Sequence, residues 1–301
     1  PYSWPTIGFM ADLGAASRDD VADFFRRYYH PGNASLCIAG DFVPAQAKQL
    51  VQKYFGSLPA GPPVARLPRW VPKLDAERRI RMTDRVGLPR LYLVWHSVPL
   101  FAEDDAELEI LADILGGGRT SRLYRSLVRQ KQIAQDVQVW QDSQEIAGDF
   151  AIVATARPGH TTAELEQACL AEVARIQQEP PSAEEVARAV NRFEARLVNA
   201  LASLGDFGGR ADRLNMYNVY TGDPGYLVRD FARFVEVDAR KVQRVARQYL
   251  GPGRVVLEVV PGPAVTITPD PRKAAAEARQ AMAERAKPEP ALAGLSEIKD
   301  T

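Results

Sequence analysis

The chain has 301 residues, of which 46% are hydrophobic and 25% are charged, a composition typical of globular proteins with one or two domains. Its 38 lysine and arginine residues balance 38 aspartate and glutamate residues, and no aromatic platform accompanies a basic patch, which excludes nucleic acid as an expected partner. No apolar run approaches the roughly 18 residues that cross a bilayer, so no membrane span is expected.

Residues 1–58 contain two predicted helices with a strand between them. Ser17, with acidic residues soon after it, is typical of a helix start, and apolar residues follow at helical spacing: Val21, Phe24, Phe25 and Tyr28. A Pro-Gly pair ends this helix, and an apolar strand is predicted over residues 34–39. Pro44 then begins a helix that closes at Gly56.

Prolines mark the boundary of the next domain. Residues 59–76 contain Pro59, Pro62, Pro63, Pro68 and Pro72. Each proline fixes φ and removes a backbone donor, which favours an extended linker. Residues 77–263 form the second predicted domain, and residues 264–301, rich in Ala, Glu, Lys and Pro, form a linker or tail that buries little.

The second predicted domain mixes strands with helices. Strands are expected over residues 80–83, 90–98, 136–142 and 149–157, and the short loop between the last two favours a hairpin. Thr161 and Ser182 each have a glutamate three residues later, which is a capping box, and long amphipathic helices follow both. The pattern predicts an α/β (α+β) fold in which a mostly antiparallel sheet carries helices on one side.

Three glycines interrupt the first helical pattern of this domain. Residues 116–118 are all glycine, which breaks one helix, and Thr120 or Ser121 is the expected cap of a second helix that buries Leu123 and Leu127. Four arginines crowd onto that second helix: Arg119, Arg122, Arg125 and Arg129. Without further information, such a charge run is interpreted as a solvated helix face.

Residues 116–131 read Gly-Gly-Gly-x-x-Ser-Arg-Leu-Tyr-x-x-Leu-Val-Arg-x-Lys, which resembles a segment of the insulinase/pitrilysin family of zinc metallopeptidases, the mitochondrial processing peptidases included. In the substrate-binding half of that family, an Arg and a Tyr seven positions later contact the bound peptide. The resemblance implies that Arg129 contacts peptide, whereas Asp136 stands where the Tyr would be. Arg119 and Arg122 are weaker candidates, and the alternative is that Asp136 pairs with Arg129 inside the protein.

The chain also contains an internal duplication. Residues 17–36 match residues 238–257 in one register: in both copies a capped helix with a late Tyr is followed by Pro-Gly and an apolar strand. This predicts two homologous domains, with residues 1–58 the C-terminal remnant of the first and residues 77–263 a nearly complete second copy. The remnant is expected to expose an apolar edge around Phe24, Phe25 and Leu36, and therefore to self-associate.

The zinc site of the family is an inverted His-x-x-Glu-His motif, and none of the three histidines, His30, His96 and His160, has that spacing. The two cysteines, Cys37 and Cys169, cannot build a metal site alone. They are interpreted as small buried side chains, with a single disulfide as the alternative. No catalytic or metal-binding residue is therefore expected in this chain, and the resemblance places the zinc in an N-terminal segment before Pro1 or in a partner subunit.

Two hypotheses for function follow from the resemblance. The first is the substrate-binding, non-catalytic portion of an insulinase-type zinc endopeptidase acting on peptides or unfolded polypeptides. The alternative is a catalytically inactive partner or scaffold subunit of a peptidase-like complex. Both imply a homologous zinc-bearing domain or subunit as partner in a dimer or larger assembly. Similarity to exported bacterial relatives suggests the periplasm, with the cytoplasm left open.

Overall fold

A computed structural model describes residues 1–2, 5–205 and 207–263 of the chain. The predicted tail, residues 264–301, lies outside them. The described chain divides into two compact units, one containing Tyr2–Ala34 and Ser57–Val64, the other containing Ser35–Gly56 and the chain from Ala65 onward. The domain boundaries expected at residues 58 and 76 stay a prediction.

The smaller unit holds two short helices, α1 (Met10–Ala15) and α2 (Arg18–Tyr28). The predicted capping box at the start of α2 is confirmed, because the Ser17 hydroxyl accepts from the Asp20 N–H at 3.2 Å while the Asp20 carboxylate accepts from the Ser17 N–H at 2.8 Å. The sequence did not predict α1, which has no side-chain cap. Neither helix contains a buried residue, and the large apolar side chains of both helices are exposed.

The strand predicted over residues 34–39 is wrong. This segment has no helix or strand assignment and pairs with no strand in the described part of the chain. A β-strand exists only where a neighbour completes its hydrogen bonds, so an apolar pattern alone does not form one. The helix predicted next is confirmed as α3 (Pro44–Phe55), with Pro44 in its first turn and Gly56 at its C-cap.

The larger unit is organised around a five-stranded sheet in the order β1-β5-β2-β4-β3. β1 and β5 are parallel, whereas the other three pairings are antiparallel, which confirms the predicted mostly antiparallel sheet. The predicted hairpin is β3–β4. The strands span Arg78–Asp84 (β1), Arg90–Ser97 (β2), Ala134–Ser143 (β3), Gly148–Ala156 (β4) and Val255–Pro261 (β5).

Helices alternate with these strands along the chain, and those after the hairpin begin largely where the sequence predicts. The capping boxes at Thr161 and Ser182 are both present and start α5 and α6. The helices span Asp105–Gly116 (α4), Thr162–Gln178 (α5), Ala183–Ala202 (α6), Arg210–Thr221 (α7), Leu227–Val235 (α8) and Ala239–Tyr249 (α9).

The core lies between one face of the sheet and the helices. Leu91, Leu93 and Trp95 of β2 and Phe150 and Ile152 of β4 are at most 1% exposed. They pack with buried side chains of α4, α5, α6 and α9. Alternate residues of β2 point to the other face and stay partly exposed, so the helices cover one side, as predicted. Each fully buried large side chain contributes about 1.5–3 kcal/mol.

Both cysteines are free thiols. Cys169 is fully buried in the core, as predicted. Cys37 is only partly buried, so that interpretation is wrong for Cys37, which lies within the unpaired segment of residues 34–39.

Candidate functional site

The candidate site begins where α4 ends. A Cβ on Gly116 would lie 2.6 Å from the Cβ and 2.8 Å from the backbone nitrogen of Val139, so only glycine lets α4 approach β3 this closely. Gly118 has φ of +84°, a left-handed conformation that L side chains rarely adopt. The two glycines turn the chain out of α4 toward the arginine-bearing segment.

That segment is a π-helix, Tyr124–Gln130, where the sequence predicted a capped α-helix. Ser121 donates its hydroxyl hydrogen to the Gly118 carbonyl at 2.8 Å, and no side chain caps the segment. Leu123 and Leu127 are fully buried, as predicted, and anchor the segment to the core. A π-helix carries a wider turn than an α-helix and is frequent at functional sites.

Arg129 and Arg119 present free guanidinium groups. Arg129 lies in the last turn of the π-helix. Arg119 lies before that helix, in the turn that follows α4, and both side chains are exposed. Within the described residues, neither side chain has an ion pair or hydrogen bond. Each guanidinium therefore keeps its donors available to a ligand.

Arg122 is held by a carboxylate instead. Its Nε donates to Glu185 Oε1 and its Nη2 to Glu185 Oε2, both at 2.8 Å, with the two side chains 12% and 14% exposed. The hydrogen bonds from Arg122 lower the pKa of Glu185 to about 2 and raise the pKa of Arg122 itself. Arg122 therefore has fewer donors to offer a ligand than Arg129 or Arg119.

Asp136 lies on β3, partly buried, and accepts a hydrogen bond from the Thr155 hydroxyl at 3.2 Å. It forms no ion pair with Arg129 in the described part of the chain. The geometry thus gives no support to the alternative in which Asp136 neutralises Arg129. A carboxylate only accepts hydrogen bonds, so Asp136 does not supply the donor that a Tyr would.

The three histidines lie on different elements of the chain. His30 lies after α2, His96 lies on β2, and His160 precedes α5 with its Nδ1 3.2 Å from Glu164. Burial lowers the pKa of His96. Among the residues that the structure describes, no group of three or more His, Cys, Asp or Glu side chains could hold a metal ion. These residues do not fit a zinc site.

No helix in the described ranges is both long and apolar enough to cross a bilayer. The longest of these helices, α6, has 20 residues. It is amphipathic, with charged side chains on one face and apolar side chains on the other.

Sequence reasoning missed a second group of polar side chains, in a cleft of about 450 Å³ between α4, β3, α6, α7 and α8. Its residues come from distant parts of the chain, so no local motif announces them. The cleft joins buried carboxylates to arginines: Asp105 and Asp230 with Arg213 and Arg233, beside Phe101 and Gln141.

Known protein families and individual proteins resemble this chain in sequence. A family model for the peptidase M16 inactive domain matches residues 15–193. Helicobacter pylori zinc protease PqqE is 26% identical over 259 residues, which cover 83% of this chain and 56% of that protein. An uncharacterized zinc protease of Streptomyces coelicolor, SCO5738, is 25% identical and covered over 54% of its length. The chain therefore spans about half the length of the curated relatives it matches.

Solved structures agree on the fold. A protease from Helicobacter pylori superposes with a TM-score of 0.77 at 24% identity, covering 87% of this chain and 63% of that one. A peptidase M16 inactive domain from Pseudomonas fluorescens superposes with a TM-score of 0.73 at 21% identity, covering 88% and 62%. At these identities the similarity establishes a shared fold.

Proposed function

The chain belongs to the peptidase M16 inactive-domain family, and from this premise we propose that it is the substrate-binding, non-catalytic portion of a zinc-dependent endopeptidase acting on peptides or unfolded polypeptides. The observation that carries the proposal is the pair of exposed guanidinium groups of Arg129 and Arg119, which lack partners within the described residues. They stand on a segment fixed to the core by Leu123 and Leu127.

A guanidinium suits this role because it is planar, permanently charged and carries five donors that match a carboxylate or a peptide carbonyl. Arg129 and Arg119 can bind such a group without breaking an internal ion pair. Arg122 would first have to release Glu185, a bidentate partner at 2.8 Å. Arg129 is therefore the first candidate for contact with peptide and Arg119 the second. Arg122 and Asp136 are weaker candidates.

The proposal requires a second, zinc-bearing domain or subunit. The histidines of this chain do not fit a zinc site, and the chain spans only 56% and 54% of the length of the two curated relatives. An uncovered surface favours such a partner: α3 buries none of its residues, and large apolar side chains near it are 47% to 63% exposed, namely Ile38, Leu50, Tyr54, Phe55 and Leu36. A helix with an apolar face normally packs it against another element.

The internal duplication suggests what would cover that surface. In the second copy, β5 lies between β1 and β2, whereas the matching residues 34–39 have no strand neighbours in the described chain. Two strands of a homologous domain, one on each side of residues 34–39, would complete the arrangement seen around β5.

The test measures metal content and cleavage of an unfolded fluorogenic peptide, first with this chain alone and then with a zinc-motif-bearing domain of the same family added. We expect no bound zinc and no cleavage alone, and cleavage once the two are combined. Stable association without cleavage in any combination would favour an inactive partner or scaffold subunit instead. Stoichiometric zinc in the isolated chain would contradict the proposal.

A further inference from the structure

We propose that Arg157 is a positioning residue for Arg129, holding the end of the π-helix so that the Arg129 guanidinium keeps one position for contact with peptide. The inference rests on the proposed function and adds to it a residue that lies outside the arginine-bearing segment. Arg157 follows directly after β4 (Gly148–Ala156), whereas Arg129 lies in the last turn of the π-helix before β3.

The end of the π-helix leaves a backbone carbonyl for Arg157 to bind. The last carbonyls of a helix have no N–H partner within that helix, so they need donors from elsewhere. The two carbonyls before that of Val128 accept from the N–H groups of Lys131 and Ile133, at 2.9 Å and 3.0 Å. The Val128 carbonyl accepts instead from Arg157 Nη2, at 3.5 Å. The side chain of Arg157 therefore contacts the residue next to Arg129.

Arg157 also binds the chain where it enters β3. Its Nε donates to the Ala134 carbonyl at 3.1 Å, and its backbone N–H donates to the Ile133 carbonyl at 2.9 Å. One residue thus binds three carbonyls, one just before Arg129 in the chain and two a few residues after it. A guanidinium suits this arrangement, because its donors form a rigid planar fork that can reach two carbonyls at once.

The chain between these contacts has an unusual backbone conformation. Gln132 has φ of +54°, in the left-handed region that residues other than glycine rarely adopt. Such a conformation persists only where the surrounding structure determines it. The Arg157 side chain contacts the chain on both sides of Gln132, at Val128 and at Ala134. We therefore expect the turn to relax, and Arg129 to move with it, once those contacts are removed.

Backbone carbonyls, rather than an acidic side chain, surround the charge of Arg157. The side chain is partly buried, and no carboxylate in the described part of the chain forms an ion pair with it. A cation is favourable at the C-terminal end of a helix, where the carbonyl dipoles present their negative ends. The Arg122–Glu185 pair fixes the start of the arginine-bearing segment, and Arg157 fixes its end. Arg129 itself stays exposed.

The test measures binding of a labelled unfolded peptide to the full chain by fluorescence anisotropy. Arg157→Met should weaken binding about fivefold, because an Arg129 side chain that is no longer held must be ordered when peptide binds. The double variant Arg129→Ala/Arg157→Met should bind no more weakly than Arg129→Ala alone, since Arg157 acts through Arg129. Arg247→Met is the matched control: Arg247 Nε also donates to a helix-end carbonyl, that of Gln177 in α5, and its loss should leave peptide affinity unchanged.

The outcomes distinguish a failure of this inference from a failure of the proposed function. Weaker binding in Arg129→Ala with no change in Arg157→Met would overturn the inference and leave the proposed function standing. An equal loss from Arg157→Met with and without the Arg129 side chain would also overturn it, because Arg157 would then act independently of Arg129. Unchanged binding in Arg129→Ala would contradict the proposed function, and the inference with it.

Arg157→Lys is the second variant, for use if Arg157→Met fails to fold. Lysine keeps the charge near the carbonyls, but its ammonium lacks the planar fork that reaches two of them. We expect about threefold weaker peptide binding, and no further loss when Arg129→Ala is also present. Hydrogen exchange of the Ile133 N–H should quicken in this variant, while that of Leu93 in the buried strand β2 stays slow. Unchanged exchange at Ile133 would show that Arg157 does not hold the segment.

Discussion

The guanidinium of Arg122 and the carboxylate of Glu185 form a bidentate pair, with Nε–Oε1 and Nη2–Oε2 distances both 2.8 Å. The pair joins the arginine-bearing π-helical segment to the first turn of α6, 63 residues later in the chain. It holds the segment that carries Arg129 in place. The pair gives Arg122 a structural role, which is consistent with its place among the weaker candidates for contact with peptide.

We predict that Arg122→Met lowers the free energy of unfolding by about 3 kcal/mol, because it leaves a largely buried carboxylate without its partner. Urea unfolding at pH 7 measures the loss. Arg125→Met is the matched control, since the Arg125 side chain is 51% exposed and 4.0 Å from the same carboxylate, and it should cost less than about 0.5 kcal/mol. Equal losses in the two variants would contradict the assignment.

The same pair predicts a pH dependence. The pKa of Glu185 is about 2 in the folded protein, against 4.5 for its ordinary value. The stabilisation that the Arg122–Glu185 pair gives the folded protein is therefore complete above about pH 4.5 and is lost as the pH falls toward 2. The difference in unfolding free energy between the wild type and Arg122→Met should shrink across that range, and a constant difference down to pH 2 would count against the pair.

Gly116 is required for the approach of α4 to β3. Gly116→Ala should destabilise the protein by about 1–3 kcal/mol, because the new methyl group would press on Val139 backbone and side chain. Gly87→Ala is the control: a Cβ there meets nothing within 4 Å, and we expect a change within about 0.5 kcal/mol. Thermal unfolding of both variants distinguishes a packing role from a helix-ending role, for which Gly116→Ala would be neutral or stabilising.

Asp149 should make the protein less stable above pH 6. It lies directly across from Asp142 on β3, and burial, with the neighbouring Asp142 charge, raises the pKa of Asp149 to about 6 from an ordinary 3.8. A raised carboxyl pKa means that the contribution of Asp149 to stability is most favourable below about pH 4, falls as the pH rises from about 4 to about 6, and changes little above that. Asp149→Asn should therefore gain about 1–3 kcal/mol at pH 7.5 and nothing at pH 3. A gain of equal size at both pH values would contradict this origin.

Cys169 should resist thiol reagents in the folded protein. Burial raises the pKa of its thiol to about 12, and the side chain is fully inaccessible. Thiol titration under native conditions should count fewer than the two thiols that unfolded protein shows, and Cys37→Ser should leave no fast-reacting group. Rapid labelling of Cys169 in that variant would mean that the core opens readily.

Most of the fold could be predicted because its signals are local. Capping boxes fixed the starts of α2, α5 and α6, and alternation of apolar residues revealed the hairpin of β3 and β4. The unpaired segment at residues 34–39 could not be predicted, since pairing depends on neighbours that no local pattern reports. The π-helix was also beyond pattern reading, because an α-helix and a π-helix bury Leu123 and Leu127 alike.

The candidate site, like the fold, could be predicted only in part from the sequence. Arg119, Arg122 and Arg129 were found through a contiguous motif, but their different roles follow only from Glu185, a residue remote in sequence that withdraws Arg122 alone. The cleft between α4, β3, α6, α7 and α8 had no sequence signal, because its residues come from distant parts of the chain and line one cavity only in the folded structure.

The central claim is that Arg129 contacts peptide, and binding of a labelled unfolded peptide, followed by fluorescence anisotropy, tests it most directly. Arg129→Ala should weaken binding about tenfold, the value of one lost charge-assisted hydrogen bond. Arg240→Ala removes another exposed arginine without a partner in the described chain and should leave affinity unchanged. Equal affinities for wild type and Arg129→Ala, or equal losses in both variants, would contradict the account.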